Sequence, residues 1–218
     1  MLQGAIFDLD GTLLDSMEVW KDSSRLFLRQ YGVETVTEED IRNLEGKTQL
    51  QALRYFAAVY PVIGRPGEAL QEAFQAFIAR RYAALSAPKA GVRRLLRRLE
   101  EQKIPRCVVS MTDIRHCEGA LENFGLAHAF DFLLSAGQVG LNKREPRIYQ
   151  LAAARLGIPP SACMVFEDAP YAARTAKQAG FPVCIVYDRA FDREWPAMAE
   201  WCDAAVRESF DEILPLFG

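Results

Sequence analysis

The chain has 218 residues, half of them apolar and a quarter charged, with 26 basic and 29 acidic side chains. That composition describes a globular protein with ample core, built as one large domain or two small ones. A formal net charge of -3 gives no basic field for nucleic acid, no apolar run is long enough to span a membrane, and the start lacks the basic-then-apolar layout of a secretory signal.

In chain order, the first element is the short apolar run Ala5-Ile6-Phe7, which predicts a buried strand stopping at Asp8-Leu9-Asp10-Gly11-Thr12. A strand ending there delivers two carboxylates at its carboxyl end, where open α/β sheets bind ligands. Gly11 allows a tight turn and a close backbone approach that a Cβ would hinder. Asp15-Ser16-Met17-Glu18 resembles a capping box opening a helix over about residues 16–31, with Gly32 as its stop. Residues 38–43 read as a short helical turn, 44–48 as a loop and 49–60 as a helix, broken at 61–67. Leu70, Phe74, Phe77, Ile78 and Tyr82 recur at helical spacing and predict an amphipathic helix over 68–85. Residues 15–86 thus hold helices and no convincing strand, an insertion behind the first strand.

From Pro88 the pattern alternates. Residues 91–102 predict a helix whose arginines form a solvated face opposite core-spaced leucines. Residues 106–109 form a strand ending at Ser110, 116–124 a helix stopped by Gly125, 132–134 a short strand, and 146–156 a helix ended by Gly157. The strand at 163–166 runs into Glu167-Asp168, a helix covers 172–179, and 183–186 is the next strand. An edge strand at 204–206 and a helix at 210–216 close the chain. Such alternation predicts an α/β fold, a doubly wound parallel sheet with helices on both faces. The expected domains are a discontinuous α/β core, 1–14 with 87–218, and an all-helical domain, 15–86. Five cysteines without a Cys-x-x-Cys pair read as reduced structural thiols of a cytoplasmic protein, and two histidines make a histidine-rich zinc site improbable.

Strand ends therefore bring Asp8, Asp10, Ser110, Glu167 and Asp168 to one crevice, and Lys143, in the polar loop before the 146–156 helix, adds a cation. Carboxylates gathered at one point repel, and a hard cation such as Mg²⁺ is the usual remedy. A hydroxyl, a lysine and turn amides make a phosphate receptor. Singly, Ser110 is also an ordinary turn residue, Lys143 a surface lysine and Glu167-Asp168 a helix cap. As an ordered set they point to a site.

The motifs resemble those of the haloacid dehalogenase superfamily, in its helical-cap branch of β-phosphoglucomutase- and phosphoglycolate-phosphatase-like proteins. Asp8-Leu9-Asp10-Gly11-Thr12 matches the first motif and Val108-Val109-Ser110 the second. Asn142-Lys143-Arg144-Glu145-Pro146 stands at the third, with Arg144 where a proline is usual, and Val165-Phe166-Glu167-Asp168 through Ala179-Gly180 matches the fourth. Ala169 and Ala172 replace the commoner Ser and Gly. The resemblance implies a Rossmann-like core with a helical cap and a Mg²⁺-dependent phosphatase acting through an aspartyl-phosphate. In it Asp8 is the nucleophile, Asp10 the general acid and base, and Ser110 and Lys143 bind the phosphoryl group. Asp8, Asp10 (through its carbonyl), Glu167 and Asp168 hold the metal. Candidate substrate contacts are Gly11, Thr12, Met111 and Thr112 in the core, and Trp20, Gly46, Lys47 and Thr48 in the cap. The implied substrate is a small phosphorylated metabolite such as a sugar phosphate, for a monomer or weak dimer without nucleic-acid or membrane partners. Mutases of this branch carry a histidine where this chain has Trp20 and an arginine aligned with Gln49, so hydrolysis is favoured over a β-phosphoglucomutase-like reaction. A phospho-receiver or binding module is the alternative from another class. It needs neither the long helical insertion nor a second aspartate two residues after the first.

Overall fold

The computed structural model describes residues 2–44, 49–85 and 87–217. Six strands, β1 (Gly4–Phe7), β2 (Arg106–Ser110), β3 (Phe132–Ser135), β4 (Cys163–Glu167), β5 (Val183–Val186) and β6 (Ala204–Val206), pair in parallel in the order β3-β2-β1-β4-β5-β6. The chain winds outward from β1 through β2 to β3, then returns to the other side of β1 for β4. That reversal is the topological switch point, and β1 and β4 flank it. Every residue of β1, β2, β4 and β5 is buried, because helices cover both faces. Between their ends these strands accordingly read as apolar runs and not as alternating ones.

Successive strand residues face opposite ways. Ile6, Cys107, Val109, Val165 and Ile185 belong to a core that includes Ile148, Tyr149, Ala152, Ala173 and Ala176. The alanines of helices Arg147–Leu156 and Pro170–Gln178 let their backbones approach the sheet. The neighbouring strand residues Phe7 and Phe166 stack with centroids 4.3 Å apart, and Phe130 meets Phe7 edge-on at 5.9 Å. Local signals set the helix ends: Pro170 opens one helix, Gly157 (φ 74°) closes another, and the Asp113 carboxylate accepts from the Arg115 N–H. Helix Val92–Glu101 buries Val92, Leu95, Leu96 and Leu99 and turns its arginines outward, where Arg94 pairs with Asp211.

Two compact units result, Met1–Met17 with Leu85–Gly218, and Glu18–Ala84. In the second, helices Ser23–Arg29, Gln49–Val59 and Gly67–Ala83 bury Phe27, Leu53, Phe56, Leu70, Phe74 and Ile78. Helix Glu38–Arg42 starts at a capping box in which Thr37 and Asp40 exchange side-chain and backbone hydrogen bonds. The Asp40 carboxylate is buried and also accepts from the Tyr55 and Tyr60 hydroxyls, at 2.8 and 2.5 Å.

Three expectations are corrected. The helix expected over 16–31 is two, Met17–Trp20 and Ser23–Arg29, because Asp22 adopts a left-handed φ of 54°, which aspartate tolerates better than most residues. The capping box expected at Asp15–Glu18 does not open the helix in that register, since the helix starts at Met17 and the Ser16 hydroxyl is used on Asp10. The last helix is 3₁₀ over Phe210–Phe217, since Pro215 supplies no N–H for an α-helical bond. Short helices at Ala136–Val139 and Trp195–Trp201 carry no signal that the sequence reading used. All five cysteines are free, and no helix among the described residues is long and apolar enough to cross a membrane.

Candidate active site

β1 ends at Phe7, and the next residue, Asp8, donates its N–H to the Phe166 carbonyl of β4 at 2.9 Å. Its carboxylate is therefore delivered beside Glu167, the last residue of β4, and Asp168. One oxygen from each of Asp8, Glu167 and Asp168 lies within 4.8 Å of the others, and all three residues are buried. Lys143, its side chain 3% exposed, donates to Asp8 Oδ1 and, at 2.7 Å, to Glu167 Oε1. The Tyr149 hydroxyl donates to that same Oε1 at 2.8 Å. Three carboxylates thus face one ammonium.

Burial, with the charges of Glu167 and Asp10, pushes the Asp8 carboxyl up to about 8 against the opposing pull of Lys143. Burial and the neighbouring Asp8 and Glu167 hold Asp168 well above the usual carboxylate range. Burial disfavours the Lys143 charge, but Asp8 and Glu167 outweigh it and keep the ammonium protonated beyond its ordinary range. Each direction expresses the same imbalance, too much negative charge out of water for one cation.

The turn after β1 shapes the rest. Gly11 has φ 81°, and a Cβ built there would lie 2.1 Å from Asp168 Oδ2, so this position needs glycine on both counts. The Leu13 and Leu14 amides return to the Leu9 carbonyl, and the Lys89 amide bonds the Leu13 carbonyl. The turn is thereby folded onto itself and pinned to the returning chain. Lys89 is held in turn by the buried Asp188 carboxylate at 3.0 Å. Thr12 Oγ1 lies 3.4 Å from Asp168 Oδ1, whereas Asp168 Oδ2 is buried and has no hydrogen-bond partner. A buried, partnerless carboxylate oxygen at the centre of an acidic cluster is the donor that a hard cation takes.

The Asp10 carboxylate is not one of that trio, but its charge acts on Asp8. Ser16 Oγ donates to Asp10 Oδ1 at 2.5 Å and Thr112 Oγ1 to Asp10 Oδ2 at 2.7 Å. Thr112 is itself fixed, its N–H on Ser110 Oγ at 3.0 Å and its carbonyl accepting from Ser135 Oγ at 2.7 Å. A lone pair of Ser110 is engaged by that amide, and its hydroxyl also faces the Cys117 thiol.

Of the residues named from sequence, Asp8, Asp10, Gly11, Thr12, Ser110, Thr112, Lys143, Glu167 and Asp168 come together here. Thr12 and Thr112 spend their hydroxyls on carboxylates, and Met111 stands 46% exposed just beyond β2. Trp20 lies in the helical unit, with its indole N–H on the Tyr82 hydroxyl at 2.9 Å. Gly46, Lys47 and Thr48 fall outside the described residues. Arg144 stacks over the Tyr171 ring at 4.5 Å. Sequence reasoning missed Tyr149, Ser16, Ser135 and Asp188. Tyr149 reads as one more core aromatic of an amphipathic helix, and no local pattern shows where a phenol tip will reach.

Comparison with known proteins fits this geometry. A family model described as haloacid dehalogenase-like hydrolase matches residues 2–180. The validoxylamine A 7'-phosphate phosphatase of Streptomyces hygroscopicus subsp. limoneus is 30% identical over 223 residues, covering 100% of this chain and 99% of its own. The fructose-1-phosphate phosphatase YqaB of Escherichia coli K12 is 28% identical over 192 residues, 81% of this chain and 92% of its own. Among solved structures, CbbY of Rhodobacter sphaeroides in complex with phosphate shares the fold at TM-score 0.79 and 23% identity, covering 98% of this chain and 96% of its own.

Proposed function

The chain belongs to the haloacid dehalogenase-like hydrolase family, and from that premise we propose that it is a Mg²⁺-dependent phosphatase of a small phosphorylated metabolite, a sugar phosphate or similar phosphomonoester. The observation that carries the reading is the buried trio Asp8, Glu167 and Asp168 around Lys143, with a second aspartate, Asp10, two residues past the first. The phosphatase relatives support the reaction class, and the substrates in their names, validoxylamine A 7'-phosphate and fructose-1-phosphate, support the substrate class.

The partnerless Asp168 Oδ2 and the raised carboxyls fit a divalent cation. Asp8, Asp168, Glu167 and the Asp10 carbonyl would hold Mg²⁺, which when bound supplies positive charge for the phosphoryl oxygens and draws the carboxylates back to their ionised forms. Asp8 attacks phosphorus in line: a bond forms from its carboxylate oxygen to phosphorus, and the bond to the leaving oxygen breaks. Lys143 on Asp8 Oδ1 leaves the other oxygen for that attack, and its charge offsets that of the phosphoryl group. Asp10 gives a proton to the leaving oxygen and later takes one from the water that cleaves the aspartyl-phosphate. The Ser16 and Thr112 hydroxyls each donate or accept by rotating their hydrogen, so they suit Asp10 both as carboxylate and as carboxylic acid. Ser110 donates to a phosphoryl oxygen. Such a site works mainly by positioning and electrostatics. The helical unit, inserted between the first two strands, is assigned the role of a cap that selects among such substrates.

Phosphorus NMR of the chain incubated with Mg²⁺ and a panel of sugar phosphates tests the proposal. Inorganic phosphate is expected, and Asp8→Asn should abolish its release while the fold is retained. An isomeric phosphomonoester in place of inorganic phosphate would assign a mutase instead, and undiminished turnover by Asp8→Asn would remove the nucleophile.

A further inference from the structure

Tyr149 is a buried titratable group at the site for which the proposed reaction has no use. Its side chain is fully buried, and it packs in the core with Ile6, Val165 and Phe181, the last at 6.2 Å between ring centroids. Helix Arg147–Leu156, packed on the sheet, therefore decides where the phenol oxygen sits, and that place is 2.8 Å from Glu167 Oε1. Lys143, from the loop before the same helix, reaches the same oxygen at 2.7 Å. We infer that the Tyr149 hydroxyl is a positioning group for Glu167, setting how that carboxylate divides its two oxygens between Lys143 and the cation site. The inference rests on the phosphatase reading above.

The physical reason lies in the glutamate side chain. The last torsion of glutamate joins an sp³ to an sp² carbon and is broad and roughly two-fold, so packing alone leaves the carboxylate plane free to swing. Lys143 does not fix it, because its long chain and three donors are shared with Asp8. A second donor from a rigid ring does. Two donors on Oε1 occupy its lone pairs and leave Oε2 available to a cation. Phenylalanine would fill the same space in the core, so what tyrosine adds here is the hydroxyl. Buried phenols ordinarily find some partner, but here the partner is a carboxylate of the acidic cluster, and the other donor on that oxygen is the cluster's lysine.

Calorimetric titration with Mg²⁺ tests this on the full chain. Groups that orient metal-holding carboxylates typically change metal affinity about 10- to 100-fold, and Tyr149→Phe is expected to weaken the Mg²⁺ dissociation constant by roughly that factor with an unchanged far-UV spectrum. Phe181→Leu, which loosens the same core without touching Glu167, is expected to leave it within about twofold of wild type. Equal weakening by both variants, or unaltered Mg²⁺ affinity in Tyr149→Phe, would overturn the inference. If Tyr149→Phe does not fold, 3-fluorotyrosine placed at 149 keeps the hydroxyl. Its fluorine resonance should shift with Mg²⁺ along the calorimetric isotherm, and no shift would overturn the inference as well. A wild-type chain that binds no Mg²⁺ would overturn both this inference and the metal reading beneath it, whereas weakened binding in Tyr149→Phe alone tells the two apart.

Discussion

Gly11→Ala probes the turn with one added methyl group. The backbone at φ 81° charges alanine about 1–2 kcal/mol of left-handed strain wherever it occurs. The second cost is local: the new Cβ would lie 2.1 Å from Asp168 Oδ2 and 2.6 Å from its Cγ. Because Cβ atoms do not come within 3.0 Å of other heavy atoms, the carboxylate has to retreat by about 0.9 Å, and swinging the oxygens alone does not clear the Cγ. Misplacement of a catalytic group by about 1 Å costs on the order of a hundredfold, so phosphate release at saturating Mg²⁺ should fall by roughly that factor. Gly157→Ala is the reference. Gly157 has φ 74° and nothing within 4 Å of its ideal Cβ, so it bears the backbone strain without the collision. It should lose about 1 kcal/mol in urea denaturation and keep its rate. Combining Gly11→Ala with Asp168→Ala removes the severe collision and leaves the milder contact with Met17 Cγ at 3.1 Å, so the added stability loss should drop towards the Gly157→Ala value. If Gly11→Ala kept its rate within about threefold, or lost no more stability than Gly157→Ala, the close approach of Gly11 and Asp168 would not matter as argued.

Asp10→Asn should slow phosphorylation of Asp8 by an alkyl phosphate about 10²- to 10⁴-fold and by an aryl phosphate much less, since a nitrophenolate hardly needs a proton to leave. Single-turnover release of the leaving group measures it, and equal losses for both would deny Asp10 the acid role. Asp40 supplies a pH test in the helical unit. Burial would raise its carboxyl, but hydrogen bonds from Tyr60, Thr37 and Tyr55 prevail and hold it well below its ordinary 3.8. A depressed carboxyl adds stability that is present above its unfolded pKa and lost as pH falls towards the folded one. The stability difference between wild type and Asp40→Asn should therefore shrink from about pH 4 downward in urea titrations, and a constant difference would contradict it. Lys89→Met would take the ammonium from the buried Asp188 carboxylate, which keeps only the Ala190 N–H among the hydrogen bonds described, and should cost about 3 kcal/mol in urea denaturation. A loss under about 0.5 kcal/mol would show that the pair holds nothing.

Much of the fold was legible from residue order because its causes are local. Apolar runs of strand length, helical spacing of leucines and aromatic residues, and the glycine stops at Gly125 and Gly157 act within a few residues, and strand-helix alternation then leaves few topologies. The catalytic candidates were legible for a related reason: Asp8, Ser110 and Glu167-Asp168 each stand at the end of a strand, and parallel strands put such ends on one edge. The break at Asp22 escaped because a left-handed aspartate is a choice among nearly equal local states, decided by surrounding packing. The 3₁₀ end was foreshadowed only by Pro215. What the tertiary structure alone decided is which donor meets which oxygen. Lys143 and Tyr149 converge on Glu167 Oε1, Ser16 and Thr112 divide the two oxygens of Asp10, and Gly11 makes room for Asp168. Such pairings join residues up to 157 positions apart. They depend on ångström distances that no pattern of residue types encodes until the sheet has brought its strand ends together.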